Sequence, residues 1–169
     1  DYLERNNCVP AIAQGLAHVR YDPQMDRVCF ILYRMGRPCG AIGRSLNWKV
    51  KPKWWKYDGC TDYYLVSPGR DSISVHNDTA CLVEDAPSAC AITRVGLTGI
   101  AMLGTNKTTS LIEELHRYKN VIVALDRDAT GKALDLRNRL CYYIGSNVRV
   151  KMLDEDIKVL NLKQLKDLF

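Results

Sequence analysis

Val121-Ile122-Val123-Ala124-Leu125-Asp126-Arg127-Asp128-Ala129-Thr130-Gly131-Lys132-Ala133 runs from an apolar, β-branched segment straight into two carboxylates one residue apart. Such a run reads as a buried strand ending at Asp126. From about Thr130, Ala133, Leu136, Leu140 and Tyr143 recur at helical spacing, which predicts a helix with one apolar face. The same alternation extends both ways. Cys81-Leu82-Val83 is a short apolar strand ending at Glu84, and Pro87 suits the first turn of a helix running to about Val95. Ile100–Leu103 is the next strand, and Ser110-x-x-Glu113 has the form of a capping box opening a helix through Leu115 and Tyr118. A strand near Val148–Leu153 and a helix from Leu162 close the chain. Strand and helix in strict alternation imply an α/β fold, a parallel sheet flanked by helices on both faces. Ligands of such sheets bind at the carboxyl ends of the strands, so Glu84 and the pair Asp126 and Asp128 are expected to share one site.

Upstream the pattern changes. Arg27-Val-Cys-Phe-Ile-Leu-Tyr-Arg is β-like, Met35-Gly36-Arg37-Pro38 is a turn and Cys39–Leu46 returns as a second strand. Thr61–Val66 predicts a further strand, ending at a Ser-Pro-Gly turn. From Arg27 to Lys56 there are eight Lys or Arg and no Asp or Glu, interleaved with Trp48, Trp54 and Trp55. This distribution invites a polyanion, and the tryptophans are either core or stacking partners for bases. Residues 1–26, interrupted by Pro10 and Pro23, show no clean period. The expected division is a basic N-terminal α+β subdomain over 1–79 and an α/β domain over 80–169.

With 169 residues the chain can bury a sizeable core, and no stretch approaches the roughly 18 consecutive apolar residues of a membrane span. A soluble protein acting away from membranes is expected. Asp1 begins the chain without a charged-then-apolar leader, which reads as an excised fragment of a cytoplasmic protein. Seven cysteines without a CxxC pair argue against both a zinc ribbon and a complete disulfide framework, so no structural zinc is expected. His18, His76 and His116 lack metal-ligand spacing.

Two Asp one residue apart at a strand end present carboxylates to the same space, where repulsion is costly unless a cation intervenes. Mg²⁺, with Mn²⁺ able to substitute, fits such hard oxygen donors, because it completes its octahedron with waters and substrate phosphates.

Three blocks of the second half resemble the Toprim domain shared by DnaG-type primases, topoisomerases and related nucleases. Leu82-Val83-Glu84 is similar to the strand delivering the family glutamate, Ala101-Met102-Leu103-Gly104-Thr105 to its ALGT block, and Asp126–Ala133 to its DxDxAGxxA block. The chain departs from the family at Asp85, where a glycine usually follows the glutamate, and at Ser88, where an acid is usual. Asp154-Glu155-Asp156 matches the third acidic motif loosely, with Asp156-Ile157-Lys158 similar to its lysine-aspartate segment. The upstream blocks Gly36-Arg37-Pro38, Gly40-Ala-Ile-Gly43-Arg44-Ser-Leu46 and Lys51-Pro52-Lys53-Trp54 resemble the basic subdomain that precedes Toprim in DnaG-type primases, Trp54 standing where a tyrosine is usual.

The resemblance implies a bacterial or phage DNA primase core that polymerises ribonucleoside triphosphates on single-stranded DNA, Mg²⁺-dependently, in cooperation with a fused or separate replicative helicase. It implies Glu84, Asp126 and Asp128 as catalytic residues, the same three with Asp156 as metal ligands, and Arg37, Arg44, Lys51, Lys53, Trp54 and Lys56 as nucleotide or template contacts. The competing readings are a Toprim nuclease, in which the same acids direct water at phosphorus, and a non-catalytic single-stranded-DNA-binding scaffold.

Overall fold

Two short helices, α1 (Tyr2–Arg5) and α2 (Val9–Ala13), occupy the segment for which the sequence offered no assignment. In the computed structural model, residues 1–59, 62–68, 78–104, 109–145 and 147–169 are described; Cys60, Thr61, Gly69, His76, Asn77 and Thr105, which enter the sequence reading, lie outside them. An antiparallel sheet follows, with β1 (Val19–Asp22), β2 (Arg27–Arg34), β3 (Arg37–Ser45) and β4 (Trp54–Lys56) side by side in chain order. The β2–β3 hairpin turns through Met35 and Gly36, both at positive φ (50° and 76°), which is the backbone of the two-residue turns whose twist suits a hairpin. Val28, Phe30 and Leu32 alternate toward the core. Arg27 is also buried, only 2% exposed, although among the described residues no carboxylate bonds it. Its guanidinium donates instead to the carbonyls of Gly43, Pro52 and Lys53 at 3.0–3.3 Å, stapling the Lys51–Lys53 loop to the hairpin.

The second sheet has the order β5 (Tyr63–Val66), β7 (Thr98–Met102), β6 (Thr79–Val83), β8 (Asn120–Val123), β9 (Asn147–Val150). β6, β7, β8 and β9 are mutually parallel, as the alternating pattern requires, while β5 runs antiparallel on the β7 edge. The sheet is therefore mixed, and its edge strand comes from before the expected boundary at 79/80.

Helices α3 (Ala86–Ile92), α4 (Thr109–Leu115), α5 (Thr130–Ile144) and α6 (Leu162–Leu168) complete the fold. Side chains of the second sheet alternate between two cores. Cys81, Val83 and Ala101 face a core shared with α3, the N-terminal helices and the first sheet. Leu82, Ile100, Val121 and Val123 face α4 and α5. The two sheets are thus joined through one apolar core.

Two local expectations are corrected, and one cap is new. Ser110 lies inside α4 and donates its hydroxyl to Asp62 (2.7 Å), so it is no N-cap. Tyr143 is half exposed, and Ile144 takes the buried position at the end of the α5 face. The last capping box is found at α6, where Asn161 and Gln164 bond one another's backbone reciprocally.

Gly99 on β7 is in contact with α3, and a Cβ there would collide with the backbone carbonyl of Ala89. Gly99→Ala is expected to lower the unfolding free energy by about 1–3 kcal/mol, the cost of overpacking a tight core, as read from urea denaturation. Unchanged stability would show that α3 does not lie this close to β7.

Candidate active site

Parallel strands end in register, and this is what assembles the acids. Leu82 pairs with Val123, and the Ala124 amide bonds the Leu82 carbonyl at 2.9 Å, so β6 and β8 deliver Glu84 and Asp126 at the same edge. The Asp126 backbone amide acts on the Glu84 carboxylate and favours its charged form. Asp126 leads into a 3-10 turn over Arg127–Ala129 that exposes Asp128.

Electrostatics confirm that the carboxylates crowd one another. Burial pushes Asp126 up from 3.8 to about 6; Lys158 opposes the rise, while Asp156, Glu84 and Asp85 add to it. Glu84 is raised by burial and then by Asp128, with Lys132 partly compensating. Among the described residues no three Asp, Glu, His or Cys side chains stand close enough to cage a metal ion by themselves. The donors available are all carboxylate oxygens, which suits Mg²⁺: it takes few protein ligands and fills the remaining positions with water and phosphate.

Asp85, the departure from the family glycine, has two functions. One oxygen caps α3 by accepting from the Ser88 amide (3.0 Å) and the other accepts from Lys158 (2.9 Å). Lys158 also pairs with Asp156 at 3.0 Å. Burial alone would push the Lys158 amine down, but the two carboxylates outweigh it and hold it above its ordinary value. Asp156, expected as a metal ligand, is thus engaged by a lysine, while Asp154 and Glu155 are exposed.

The basic sheet meets this acidic edge. A cavity of about 240 Å³ has Ile42, Trp54 and Lys56 on one wall and Glu84, Asp85 and Gly104 on the other. A second, of about 460 Å³, opens from Glu84 along α5, with Lys132, Asp135 and Arg139 at its rim and Met102 and Leu136 beneath. Of the expected basic contacts, Lys56 reaches the first cavity, and Arg44 lies over the Trp54 ring at 5.4 Å. Trp54 packs on Phe30 (centroids 6.2 Å apart) at the edge of the shared core, so it is partly a core residue. Lys51 and Lys53 project from the loop that Arg27 fixes, and Arg37 is exposed at the hairpin turn.

Sequence reasoning missed Tyr2 and Asn7, and it placed Lys158 in the third acidic segment without giving it a role. Tyr2 is raised by burial first and lies among Arg44, Asp85, Cys8 and Lys158, and Asn7 bonds the Lys158 and Leu160 carbonyls. No periodicity marks these residues, and only Asp85 in place of glycine signalled that the site needs an additional cation.

A parallel-stranded domain with acids at its strand ends, fronted by a basic antiparallel sheet, defines the class of the protein. Residues 81–167 match the Toprim-like family, slightly more than half of the chain, and the chain belongs to that family. Toprim domains generally bind Mg²⁺. The fold is also similar to the Aquifex aeolicus primase in a crystal structure of its zinc-binding and RNA polymerase domains, with TM-score 0.68 and 21% identity over 99% of this chain and 47% of that one. This chain therefore spans about half the length of that structure. No curated protein matches it in sequence.

A carboxyl whose folded pKa lies above its unfolded value contributes stability while protonated and loses it as pH rises between the two. For Asp126 that window runs from 3.8 to about 6. In EDTA, Asp126→Asn is therefore expected to melt higher than the parent at pH 8 and to lose the advantage by pH 4, measured by thermal melting. A parent melting point that is the higher of the two at pH 8 would refute the crowding.

Proposed function

We propose that the chain is the catalytic core of a DnaG-type primase, joining ribonucleotides along single-stranded DNA. The observation that carries this reading is the cavity whose walls are the basic sheet and the acidic strand ends, because nucleotidyl transfer needs phosphate-binding cations facing a carboxylate site.

Glu84, Asp126 and Asp128 border the place where Mg²⁺ would be held, water and substrate phosphate completing its shell, and Asp156 adds negative charge beside them while it pairs with Lys158. When bound, the ion provides positive charge against the triphosphate as pyrophosphate leaves. Lys56, on the wall opposite Glu84, neutralises phosphate oxygens of the entering nucleotide. Glu84 has a raised proton affinity through burial, which suits it to accept the proton of the attacking 3′-hydroxyl. Arg37, Arg44, Lys51 and Lys53 line the approach of the template backbone, and the half-buried Trp54 offers its free edge to a base. The expected halves, 1–79 for template holding and 80–169 for chemistry, meet at this cavity, with β5 reinforcing the second sheet. Such an enzyme works beside a replicative helicase on cytoplasmic DNA of a bacterium or an infecting phage.

Incubation with single-stranded DNA, an annealed oligoribonucleotide, Mg²⁺ and labelled ribonucleotides tests the reading. Extension is expected, with Asp126→Asn and Asp128→Asn each reducing it at least ~10²-fold while remaining folded, because carboxylates at a metal site act as a unit. Lys53→Ala should weaken DNA binding on every template sequence and flatten its salt dependence, since each phosphate contact releases a counterion. Cleavage of the DNA without extension would replace this reading with a nuclease; binding without either reaction would leave a scaffold.

A further inference from the structure

We propose that the Lys158 ammonium is a resident counter-cation of the acidic site, occupying between Asp85 and Asp156 the place of a second divalent ion, so that the chain binds one such ion rather than two. This rests on the metal-site reading above. Glu84 and Asp85 leave β6 beside Asp126, which follows β8, and Asp156 shares the Lys158 amine with Asp85; carboxylates gathered in this way normally recruit cations.

Lys158 is already there. Its Nζ lies 2.9 Å from Asp85 and 3.0 Å from Asp156, with only 18% of the side chain exposed. The position is built rather than incidental. Asn7, itself at φ 55°, donates to the Lys158 carbonyl at 2.8 Å and to the Leu160 carbonyl at 3.1 Å. Arg94 donates to that same Leu160 carbonyl (3.2 Å), and Ile157, 1% exposed, anchors the turn in the shared core. On the facing side both Asp85 oxygens are used, Oδ1 by the Ser88 amide and Oδ2 by Lys158. Each Asp85 oxygen thus already accepts a hydrogen bond, and the Lys158 ammonium sits on the side that faces Asp156.

An acid where the resemblance expects glycine is therefore matched by a base reaching it from the third acidic segment. A merely structural ion pair would place the same atoms together, but it would not change how many divalent ions the site accepts. A fixed ammonium would: it supplies charge without the hydration shell a divalent ion retains, and removing it leaves two partly buried carboxylates uncompensated.

The experiment is a Mn²⁺ titration of the full chain followed by electron paramagnetic resonance of the free ion. The parent should bind one Mn²⁺, and Asp126→Asn should lose it. Lys158→Gln keeps a hydrogen-bond donor toward Asp85 while removing the charge, and it should bind two. Lys158→Arg should behave as the parent, and Asp85→Asn combined with Lys158→Gln should return to one. Melting in EDTA reports folding, and Mn²⁺ should raise the melting point of Lys158→Gln more than that of the parent. Equal stoichiometry and equal midpoints in the parent and Lys158→Gln overturn the inference while leaving the metal reading standing. Absence of Mn²⁺ binding in every protein, the parent included, overturns both. If Lys158→Gln does not fold, two ions bound by the parent still overturn the inference, and one ion bound by both the parent and Lys158→Arg supports it.

Discussion

The burial of α3 is the constraint on which the rest depends. All seven of its residues are buried, and it packs against the second sheet, the N-terminal helices and the turn that carries Lys158. Gly99 lets β7 approach its backbone, and the Asp85 cap fixes where the helix begins. Since Glu84 immediately precedes that cap, the position of the acidic edge is set by the packing of one short helix. A seven-residue helix has little stability of its own, so its geometry is borrowed from tertiary packing.

The site is expensive to hold. Asp126 and Glu84 are both harder to ionise than free carboxyls, chiefly because they are partly buried and secondarily because their neighbours are also acids. Lys132 offsets part of this at Glu84 and Lys158 at Asp126, and Lys56 lines the same cavity as Glu84. A fold that keeps such groups together without ligand gives up stability at that edge.

Much of this was legible in the sequence. The apolar run at Val121 announced the strand, because a buried parallel strand admits no polar residue until it leaves the sheet, although β8 ends at Val123 and the chain reaches Asp126 outside the ladder. The hairpin at Met35-Gly36 was equally plain, its turn residues being tied to one backbone geometry. What stayed hidden depends on contacts distant in sequence. Asn7 and Lys158, and Arg27 and Pro52, meet only through tertiary structure, and no local pattern announces a side chain that bonds another segment's carbonyl. Ser110 shows the converse: its cap signature was locally complete, yet Asp62 took its hydroxyl.

Arg27 gives the basic loop a property beyond affinity. Because its guanidinium holds the Pro52 and Lys53 carbonyls, the loop is shaped through main-chain atoms, and the side chains of Lys51 and Lys53 carry none of that structure. The two head groups are therefore interchangeable fittings on a fixed bracket. Lineages carrying this fold can add, remove or exchange charge there without renegotiating the scaffold. Surface charge and architecture are in this way free to evolve separately.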